Sequence, residues 1–493
     1  MSTDKATRDA SLAATDRINQ WSVDANMRVD VYEALKAFNK TPEAKALKGE
    51  QARFFTFALR DARRSGLDLP KDKRDELSAL LKKMATIKLD FSACLTADTT
   101  HLSFLPSELN GTTKEFVAGL KRDPNNTNKA RFTRPGLVIV TVKYPDYYPI
   151  IQECTVESTR KQMEFAYNNV CADTNTKRLD DLVALRAKVA AILGYANWAA
   201  YTQETLMAKN PERVMKFLTE LRAKLVKLRD QQYDVLLQYK RQEKEAQGKK
   251  FDGIEKRDFS VDKQEVQQYF PIAYVVPKLL DVYQELLGLR FQLDTALSKA
   301  AWAPGVEAYK VFDAKSKELL GIFYLDLHPR EGKFGHAAMF GLQPPSWIQV
   351  GGKTEKLIGV GSLMCNFPDD TPTQPGLLPH DDVTTLFHEM GHMFHQILGR
   401  TKIASFAGTS TDTDFVEAPS QMLENWTWEP EVLRRITKHH KTGKIMPEHL
   451  IAKLVKSRVA NAGISNMKQL AYGLYDQKVH TSTNISTADT YIQ

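Results

Sequence analysis

Apolar residues recur at helical spacing over most of the chain. From residue 10 to about 95 they repeat every three or four positions, which is the period of one helix face. The dipeptide Leu69-Pro70 predicts a break between two of these helices. The same period returns from Ser158 onward and again after Asp381. The pattern therefore predicts a mainly helical protein.

One long amphipathic helix is predicted to begin at Asn210-Pro211. Asn is a good N-cap residue, and Pro fits the first helical position. We expect this helix to end near Gly248 and to expose its Lys and Arg residues to solvent. Its apolar face comprises Val214, Phe217, Leu218, Leu221, Leu225 and Leu228.

Two segments depart from the helical pattern. The β-branched run 136–142 lies between Pro135 and Pro145 and is typical of a buried strand. Residues 302–365 are rich in Gly, Pro, Phe and Tyr, and they predict one small sheet. Its expected strands are 311–312, 320–327 and 337–342.

Composition and charge narrow the class of protein. The chain has 493 residues, 42 % of them hydrophobic and 26 % charged, which excludes disordered and collagen-like chains. The net charge is 68 − 60 = +8, without the concentrated basic stripe of a nucleic-acid-binding protein. No apolar run is long enough to span a bilayer, and no signal peptide is evident. We expect a soluble cytoplasmic protein that binds neither nucleic acid nor membranes.

The four cysteines, Cys94, Cys154, Cys171 and Cys365, are far apart in the sequence and show no C-x-x-C spacing. Four cysteines in so long a chain do not form a disulfide framework. We therefore expect free, mostly buried thiols in a reducing compartment.

Candidate chemistry centres on the H-E-x-x-H motif that runs from His388 to His392. Residues four apart lie on one helix face, so the two imidazoles can bind one Zn²⁺. Glu389 between them can act as general base for peptide hydrolysis. Asp381 or Asp382 is expected to cap this helix. The helix is predicted over 382–398, with Gly399 just past its end and an apolar face of Val383, Phe387, Met390, Phe394 and Leu398.

A catalytic zinc usually has a third protein ligand. The best candidates lie in the stretch 414–426, which predicts a second helix carrying Glu417 and Glu424. Glu417 could instead complete a capping box with Asp414, and Glu424 could be a solvent-facing acid or one that supports a ligand. Spacing alone leaves the choice between the two glutamates open.

Two further histidines lie near the motif. His395 follows His392 by three residues and is displaced from the ligand positions, so we expect a supporting or structural role. His336 falls in an expected strand, where it could line a cleft. The plainer interpretation of His336 is a half-buried histidine of the sheet.

Three ordered stretches resemble the thimet oligopeptidase family of zinc peptidases, which includes neurolysin and the saccharolysins. They are 323–344, then F-H-E-M-G-H-M-F-H at 387–395, then D-F-V-E-A-P-S-Q-M-L-E-N-W at 414–426. Weaker similarity extends from about residue 10 to residue 482. The resemblance implies one zinc ion per chain on His388, His392 and Glu417, with Glu389 as the catalytic base.

The resemblance also implies an overall architecture. We expect an elongated, two-lobed, mainly α zincin-type metallopeptidase with a deep channel and a small β-sheet near the active site. Residues 1–150 would form an N-terminal helical region, and residues 151–493 the catalytic region. Substrates would be short peptides, laid along the strand that follows Gly335. The enzyme would be a monomeric endopeptidase in the cytoplasm, with the mitochondrial intermembrane space as the alternative.

One departure from the family pattern leaves alternatives open. The family continues into a Gly- and Tyr-rich segment that binds substrate, whereas this sequence ends at Gln493 with Tyr472, Tyr475 and Tyr491 outside such a motif. The chain therefore resembles a copy that is incomplete at its C-terminal end and short at its N-terminus. The alternative function is a catalytically impaired, zinc-containing, peptide-binding remnant. A helical scaffold with coincidental histidines is a third hypothesis, and it predicts no stoichiometric zinc.

Overall fold

The computed structural model describes residues 4–124, 136–246, 263–330, 333, 335–371, 374–482 and 485–492. Within these ranges the chain is mostly helical and carries small sheets, which confirms the mainly α fold class. None of the described helices is both long and apolar enough to cross a bilayer. The helices in chain order are α1 (Lys5–Asn26), α2 (Val29–Asn39), α3 (Pro42–Ala46), α4 (Gly49–Arg64), α5 (Lys71–Ala97), α6 (Lys114–Gly119), α7 (Tyr144–Glu153), α8 (Glu157–Asn168), α9 (Ala172–Ile192), α10 (Trp198–Gln203), α11 (Pro211–Ala246), α12 (Lys263–Gln267), α13 (Ile272–Leu287), α14 (Thr295–Lys299), α15 (His380–Leu398), α16 (Glu417–Glu424), α17 (Pro430–Ile436), α18 (Glu448–Ser457), α19 (Ala462–Thr481) and α20 (Thr487–Ile492).

The N-terminal helices lie where the periodicity predicts them. Helix α5 begins directly after Pro70, so the break predicted at Leu69-Pro70 is confirmed. Helix α5 packs on α9 through a small apolar core that includes Leu77 and Val189, while α1 covers α5 without burying any residue of its own. Helix α7 runs across position 150, and the division into 1–150 and 151–493 stays a prediction.

A two-stranded antiparallel sheet follows α5. Strand β1 (His101–Phe104) pairs with β2 (Val138–Thr141), so the strand predicted at 136–142 is confirmed over its central residues; Pro135 lies outside the described residues. Ile150 of α7 and Met163 of α8 are fully buried against this pair. The partner strand β1 was not predicted, because four residues give too short an alternation to be recognised.

The long helix α11 begins at the predicted position. The Asn210 side-chain oxygen accepts a hydrogen bond from the Arg213 backbone N–H at 3.0 Å, which is the capping contact that the Asn-Pro pair predicts. The predicted end near Gly248 lies outside the described residues. Helix α11 packs against α19, but Phe217 on its apolar face is 63 % exposed. The apolar face is therefore only partly covered by the described part of the chain.

Five of the strands that follow β2 form one sheet. The described strands after β2 are β3 (Leu289–Leu293), β4 (Glu307–Asp313), β5 (Leu319–Asp326), β6 (Ala338–Gln343), β7 (Trp347–Val350), β8 (Lys353–Lys356) and β9 (Gly359–Met364). The strand order of the sheet is β3-β4-β5-β9-β6, with every pair antiparallel except β5 and β9. The predicted strands correspond to β4, β5 and β6, which are confirmed. A separate hairpin, β7–β8, projects from the loop between β6 and β9.

The main apolar core lies between this sheet and the helices that cover it. Helix α15 packs against β5, β9 and β6 of the sheet. It also contacts α13, since the ring of Tyr283 lies 5.6 Å from that of Phe387 and 4.9 Å from that of Phe394. Phe323 of β5, Phe387 and Phe394 of α15, and Tyr283 of α13 are all at most 2 % exposed. Helix α15 is therefore fixed by apolar packing along most of its length.

A buried ionic cluster joins the ends of β5 and β9. The Asp326 carboxylate accepts hydrogen bonds from Arg330 and from the Trp302 indole N–H at 2.8 Å. The Lys333 ammonium lies 2.8 Å from the same carboxylate and donates to the backbone carbonyl of Cys365. Burial alone would raise the pKa of Asp326, but these donors outweigh it and lower the pKa to about 2.

The expectation of four free thiols is wrong for one pair. Cys94 near the end of α5 and Cys171 before α9 form a disulfide. The two residues are 77 positions apart in sequence, and their Cα atoms are 6.3 Å apart. The packing of α5 on α9 brings these residues together, and sequence spacing gives no sign of that packing. Cys154 and Cys365 are free and buried, as predicted, and burial raises the pKa of both thiols.

Candidate metal centre

Helix α15 carries the two histidines of the H-E-x-x-H motif. It begins at His380 with Pro379 at the N-cap, so the capping role predicted for Asp381 or Asp382 is wrong. Both aspartates lie in the first turn instead, where a carboxylate still interacts favourably with the helix dipole. The predicted apolar face is confirmed, since Val383, Phe387, Met390 and Phe394 are at most 2 % exposed and Leu398 packs against the same core.

A buried hydrogen bond fixes the depth of α15 in the core. The hydroxyl of Tyr283 in α13 donates to the backbone carbonyl of Phe387 at 2.6 Å. Tyr283 is fully buried, and an unpaired hydroxyl at this position would be costly. The residue before His388 is therefore held by a polar contact as well as by packing.

Helix α16 approaches α15 at Gly391. A Cβ atom added to Gly391 would lie 2.8 Å from the Cα of Ser420, which is closer than real side chains allow. Ser420 is completely buried, and its hydroxyl donates to the Glu417 carboxylate at 3.0 Å. The contact between a glycine and a serine thus lets α16 bring Glu417 to the histidine face of α15.

Three donor atoms converge at this contact. The Nε2 atoms of His388 and His392 lie 3.1 Å apart. The Oε2 atom of Glu417 lies 3.1 Å from the first and 3.0 Å from the second. These are the only three His, Cys, Asp or Glu residues among those described that cluster closely enough to hold a metal ion.

The spacing suits a small tetrahedral cation. Bonds of about 2.0–2.1 Å at tetrahedral angles place neighbouring ligand atoms about 3.4 Å apart, and the observed separations are 3.0–3.1 Å. The donor set of two imidazoles and one carboxylate is one that Zn²⁺ uses in sites that leave a coordination position open. The three residues therefore fit zinc in both geometry and chemistry.

Glu424 supports the site from behind. Its Oε1 atom lies 2.6 Å from the Nδ1 atom of His388, on the side of the ring opposite the shared donor face. An acceptor at Nδ1 places the ring proton there and leaves Nε2 free as a ligand. Of the two candidate glutamates, Glu417 lies with the histidine donor atoms and Glu424 orients one of the rings.

Glu389 lies beside the three donor atoms and is 9 % exposed. Burial raises the pKa of its carboxyl, while the neighbouring His388 and His392 lower it in part. The backbone N–H of Met339 in β6 faces this carboxylate and also lowers its pKa. The carboxylate is thus held between the histidine pair and the edge strand of the sheet.

Residues 399–416 form the segment between α15 and α16, which we call the connector. The alternative of a capping box between Asp414 and Glu417 is wrong, because Val416 occupies the N-cap of α16 without a side-chain bond. The Asp414 carboxylate instead accepts the backbone N–H groups of Met207 and Ala208, both at 3.0 Å. Gly399 follows α15 as predicted and donates to the His395 carbonyl at 3.0 Å.

The predictions for His395 and His336 have different outcomes. His395 is partly buried, and its Nδ1 atom has no hydrogen-bond partner among the described residues; burial lowers its pKa. It lies outside the donor cluster, in agreement with a supporting or structural role. The strand position predicted for His336 is wrong, since it is exposed and precedes β6, with its ring 4.6 Å from that of Tyr144.

Comparison with known proteins shows the family to which the chain belongs. Residues 150–493 match the pattern of Peptidase family M3. The chain belongs to peptidase family M3. It is 34 % identical to the thimet-like oligopeptidase of Dictyostelium discoideum, over 99 % of this chain and 75 % of that protein. It is 33 % identical to saccharolysin of Saccharomyces cerevisiae, over 100 % of this chain and 71 % of that protein.

The M3 fold is also found among solved structures. A Bacillus anthracis protein described as an oligoendopeptidase F has a TM-score of 0.56 at 15 % identity, covering 99 % of this chain and 71 % of that one. At this identity the likeness concerns the fold alone. The predicted resemblance to the thimet oligopeptidase family is confirmed, and the roles of individual site residues stay proposals.

Sequence reasoning missed several residues that build the site. Tyr283, Ser420 and Met339 act through contacts between elements far apart in sequence, and no local pattern marks them. Glu424 carried a usable signal, since it follows Glu417 by two helical turns and metal-bound histidines usually donate to an acceptor. The contact of Glu424 with His388 favours the alternative in which Glu424 supports a ligand.

Proposed function

We propose that this M3 family member is a zinc-dependent endopeptidase that hydrolyses short peptides. The observation that carries the proposal is the mutual separation of 3.0–3.1 Å among the donor atoms of His388, His392 and Glu417. The names of the relatives, an oligopeptidase and saccharolysin, support a peptide substrate. Residues 151–493 would form the catalytic region, and residues 1–150 an N-terminal region that supports it.

One zinc ion per chain would be held by those three residues, with His388 oriented by Glu424. When bound, zinc polarises a scissile carbonyl and acidifies a water molecule. Glu389 takes a proton from the attacking water and delivers one to the leaving amine. Its burial suits both steps, because a carboxyl with a raised pKa holds the transferred proton more readily than a solvated one.

Strand β6 would bind the peptide backbone. It lies at the edge of the five-stranded sheet, paired with β9 on one side only. An extended peptide can add to such an edge by backbone hydrogen bonds. Since the backbone N–H of Met339 in β6 faces the Glu389 carboxylate, a peptide on this edge would place its backbone next to the general base. The substrate would then be selected by its extended shape more than by its side chains.

The test is cleavage of a short internally quenched fluorescent peptide by the purified chain, together with its zinc content. We expect one zinc per chain and cleavage that a chelator abolishes and added zinc restores. Zinc binding without cleavage would favour the alternative of a peptide-binding remnant. Absence of stoichiometric zinc would contradict both and leave a helical scaffold.

The role of Glu389 is tested by Glu389→Gln. We expect loss of at least about 10³ in turnover, since the proton acceptor is removed, with zinc content unchanged. Glu355→Gln is the matched control, because Glu355 lies on the exposed strand β8 and loses the same charge. Retained turnover in Glu389→Gln would contradict the assignment. Monomeric state and a location in the cytoplasm or the mitochondrial intermembrane space complete the proposal and rest on sequence pattern alone.

A further inference from the structure

The side-chain amide of Gln396 joins three parts of the site, namely α15, strand β6 and the connector. Gln396 lies on α15, one turn beyond His392, and is 5 % exposed. Its Nε2 atom donates to the carbonyl of Gln343 in β6 at 3.2 Å. Its Oε1 atom accepts the backbone N–H of Thr409 in the connector at 3.3 Å.

The two partners fix the orientation of the amide. A carbonyl oxygen can only accept and a backbone N–H can only donate, so the nitrogen of Gln396 faces Gln343 and the oxygen faces Thr409. A buried side chain with both ends satisfied by backbone groups holds those groups at a set separation. Few residues could replace it, because only an amide of this length offers a donor and an acceptor together.

The surrounding backbone is shaped around this amide. A Cβ atom on Gly341 would lie 3.1 Å from the Gln396 nitrogen, and one on Gly408 would lie 2.1 Å from its oxygen. Gly408 also has a φ of +61°, which a residue with a side chain adopts only with strain. Both the strand and the connector therefore approach the amide at glycines.

The contact coincides with an irregularity of the edge strand. The pairing of β6 with β9 shifts register between Gly341 and Gln343, so that Leu342 is left over. The Gln343 side chain donates to the Ile358 carbonyl at 2.9 Å, which closes the end of the bulge. Bulges re-aim a strand and are common beside active sites, and this one is held to α15 by Gln396.

We propose that Gln396 is a positioning residue that sets the distance between the peptide-binding edge of β6 and the histidine-bearing face of α15. The inference rests on the proposed function, since it concerns the same site. Gln396 touches neither the donor atoms nor the peptide; it acts through β6 and the connector. Loss of its amide lets the strand move relative to Glu389, so peptides bind in a less productive position.

The test variant is Gln396→Met, which keeps the length of the side chain and removes both hydrogen bonds. In a Glu389→Gln background, where turnover is blocked, we expect the Kd for a fluorescent short peptide to rise roughly tenfold, the effect of losing about one buried hydrogen bond. In the unblocked enzyme we expect KM to rise more than kcat falls. Zinc content should stay at one per chain.

Two further variants separate positioning from general stability. Gly341→Ala pushes the strand away from an intact amide and should weaken peptide binding by about threefold, within the cost of modest overpacking. Gln349→Met on the exposed strand β7 is the matched control and should change nothing. If Gln396→Met lowers only the melting temperature and leaves Kd and KM within twofold of the parent, the positioning role is overturned.

A readout independent of peptide distinguishes this inference from the proposed function. Hydrogen exchange of the chain without substrate should quicken in 338–343 and 407–410 of Gln396→Met, but not in 383–394. Unchanged exchange in both segments would overturn the anchoring role of Gln396 even in an active enzyme. A parent chain that binds zinc but no peptide would overturn the proposed function and, with it, the peptide-binding part of this inference.

Discussion

Two helices bring the proposed zinc ligands together, and they are held in different ways. Helix α15 buries 11 of its 19 residues, and seven of these belong to the main apolar core, so apolar packing fixes it. Helix α16 buries only Ser420 and Leu423 of its eight residues. Its position depends on a glycine contact and on polar bonds along the connector. The two histidines thus lie on a helix fixed by the core, whereas Glu417 lies on a helix whose position depends on contacts with neighbouring segments.

The largest effect on stability is expected from a substitution in the buried face of α15. Phe387→Ala removes a fully buried ring from the core, and we expect about 3–5 kcal/mol less stability. Urea unfolding followed by circular dichroism measures it. Phe165→Ala is the control, because Phe165 lies on α8 and is 72 % exposed; a similar loss there would contradict the packing argument.

The approach of the two helices is tested by Gly391→Ala. The added methyl group would meet the Cα of Ser420 at 2.8 Å, so α16 must move and take Glu417 with it. We expect zinc affinity to fall roughly 100-fold, as for the loss of a well-placed ligand contact, measured by competition with a chromophoric chelator. Gly119→Ala in α6 is the control, since a Cβ there meets nothing within 4 Å. Unchanged zinc affinity in Gly391→Ala would mean that α16 is not fixed by this contact.

Low pH tests the sheet on which α15 packs, because the ionic cluster around Asp326 joins the ends of two of its strands. The pKa of Asp326 is about 2 in the folded chain against 3.8 as the reference, so the charged form is favoured by folding. Its stabilisation is complete above pH of about 4 and is lost as the pH falls through about 2, with a total of about 2 kcal/mol. Urea unfolding at pH 5 and at pH 2.5 should show a loss of stability in the parent that is smaller in Asp326→Asn.

Other carboxylates titrate over the same interval, so a control for Asp326→Asn is needed. Asp234 is exposed in the middle of α11, and Asp234→Asn should keep the acid sensitivity of the parent. If Asp326→Asn loses as much stability between the two pH values as the parent does, the low pKa is wrong.

The smallest effect is expected in the connector. Asp414→Ala frees the N–H groups of Met207 and Ala208, which water can then reach because Asp414 is exposed. We expect zinc affinity to fall about threefold to fivefold, near the net value of one hydrogen bond. Asp412→Ala in the same connector is the control. An effect as large as that of Gly391→Ala would mean that the connector, and not the helix contact, places Glu417.

The sequence predicted one of these helices far better than the other. Helix α15 follows from periodicity and the H-E-x-x-H spacing, and its range differs from the prediction by two residues at its start. Glu417 could be chosen over Glu424 only by family resemblance, because their separation depends on how α16 packs on α15. The bonds of Asp414 to Met207 and Ala208 span more than 200 residues, and no local pattern encodes such a contact.

The same limit explains the errors elsewhere in the molecule. Strands β3 and β9 were missed because β9 is short and contains two glycines, and because β3 directly follows a helix whose apolar pattern it continues. The pairing of Cys94 with Cys171 depends on α5 lying against α9. Helices that repeat their apolar pattern over several turns were predicted correctly, while contacts between elements became visible only in the folded structure.

The Cys94–Cys171 disulfide determines whether the fragments separate after a protease cuts the chain between the two cysteines. One cysteine lies before residue 150, where the match to the M3 family begins, and the other lies within that match. A single cut between them yields two pieces that migrate as one on a gel until a reducing agent is added. The N-terminal helices therefore stay tethered to the peptidase region after such a cut, and an apparently intact band under non-reducing conditions does not establish an intact backbone.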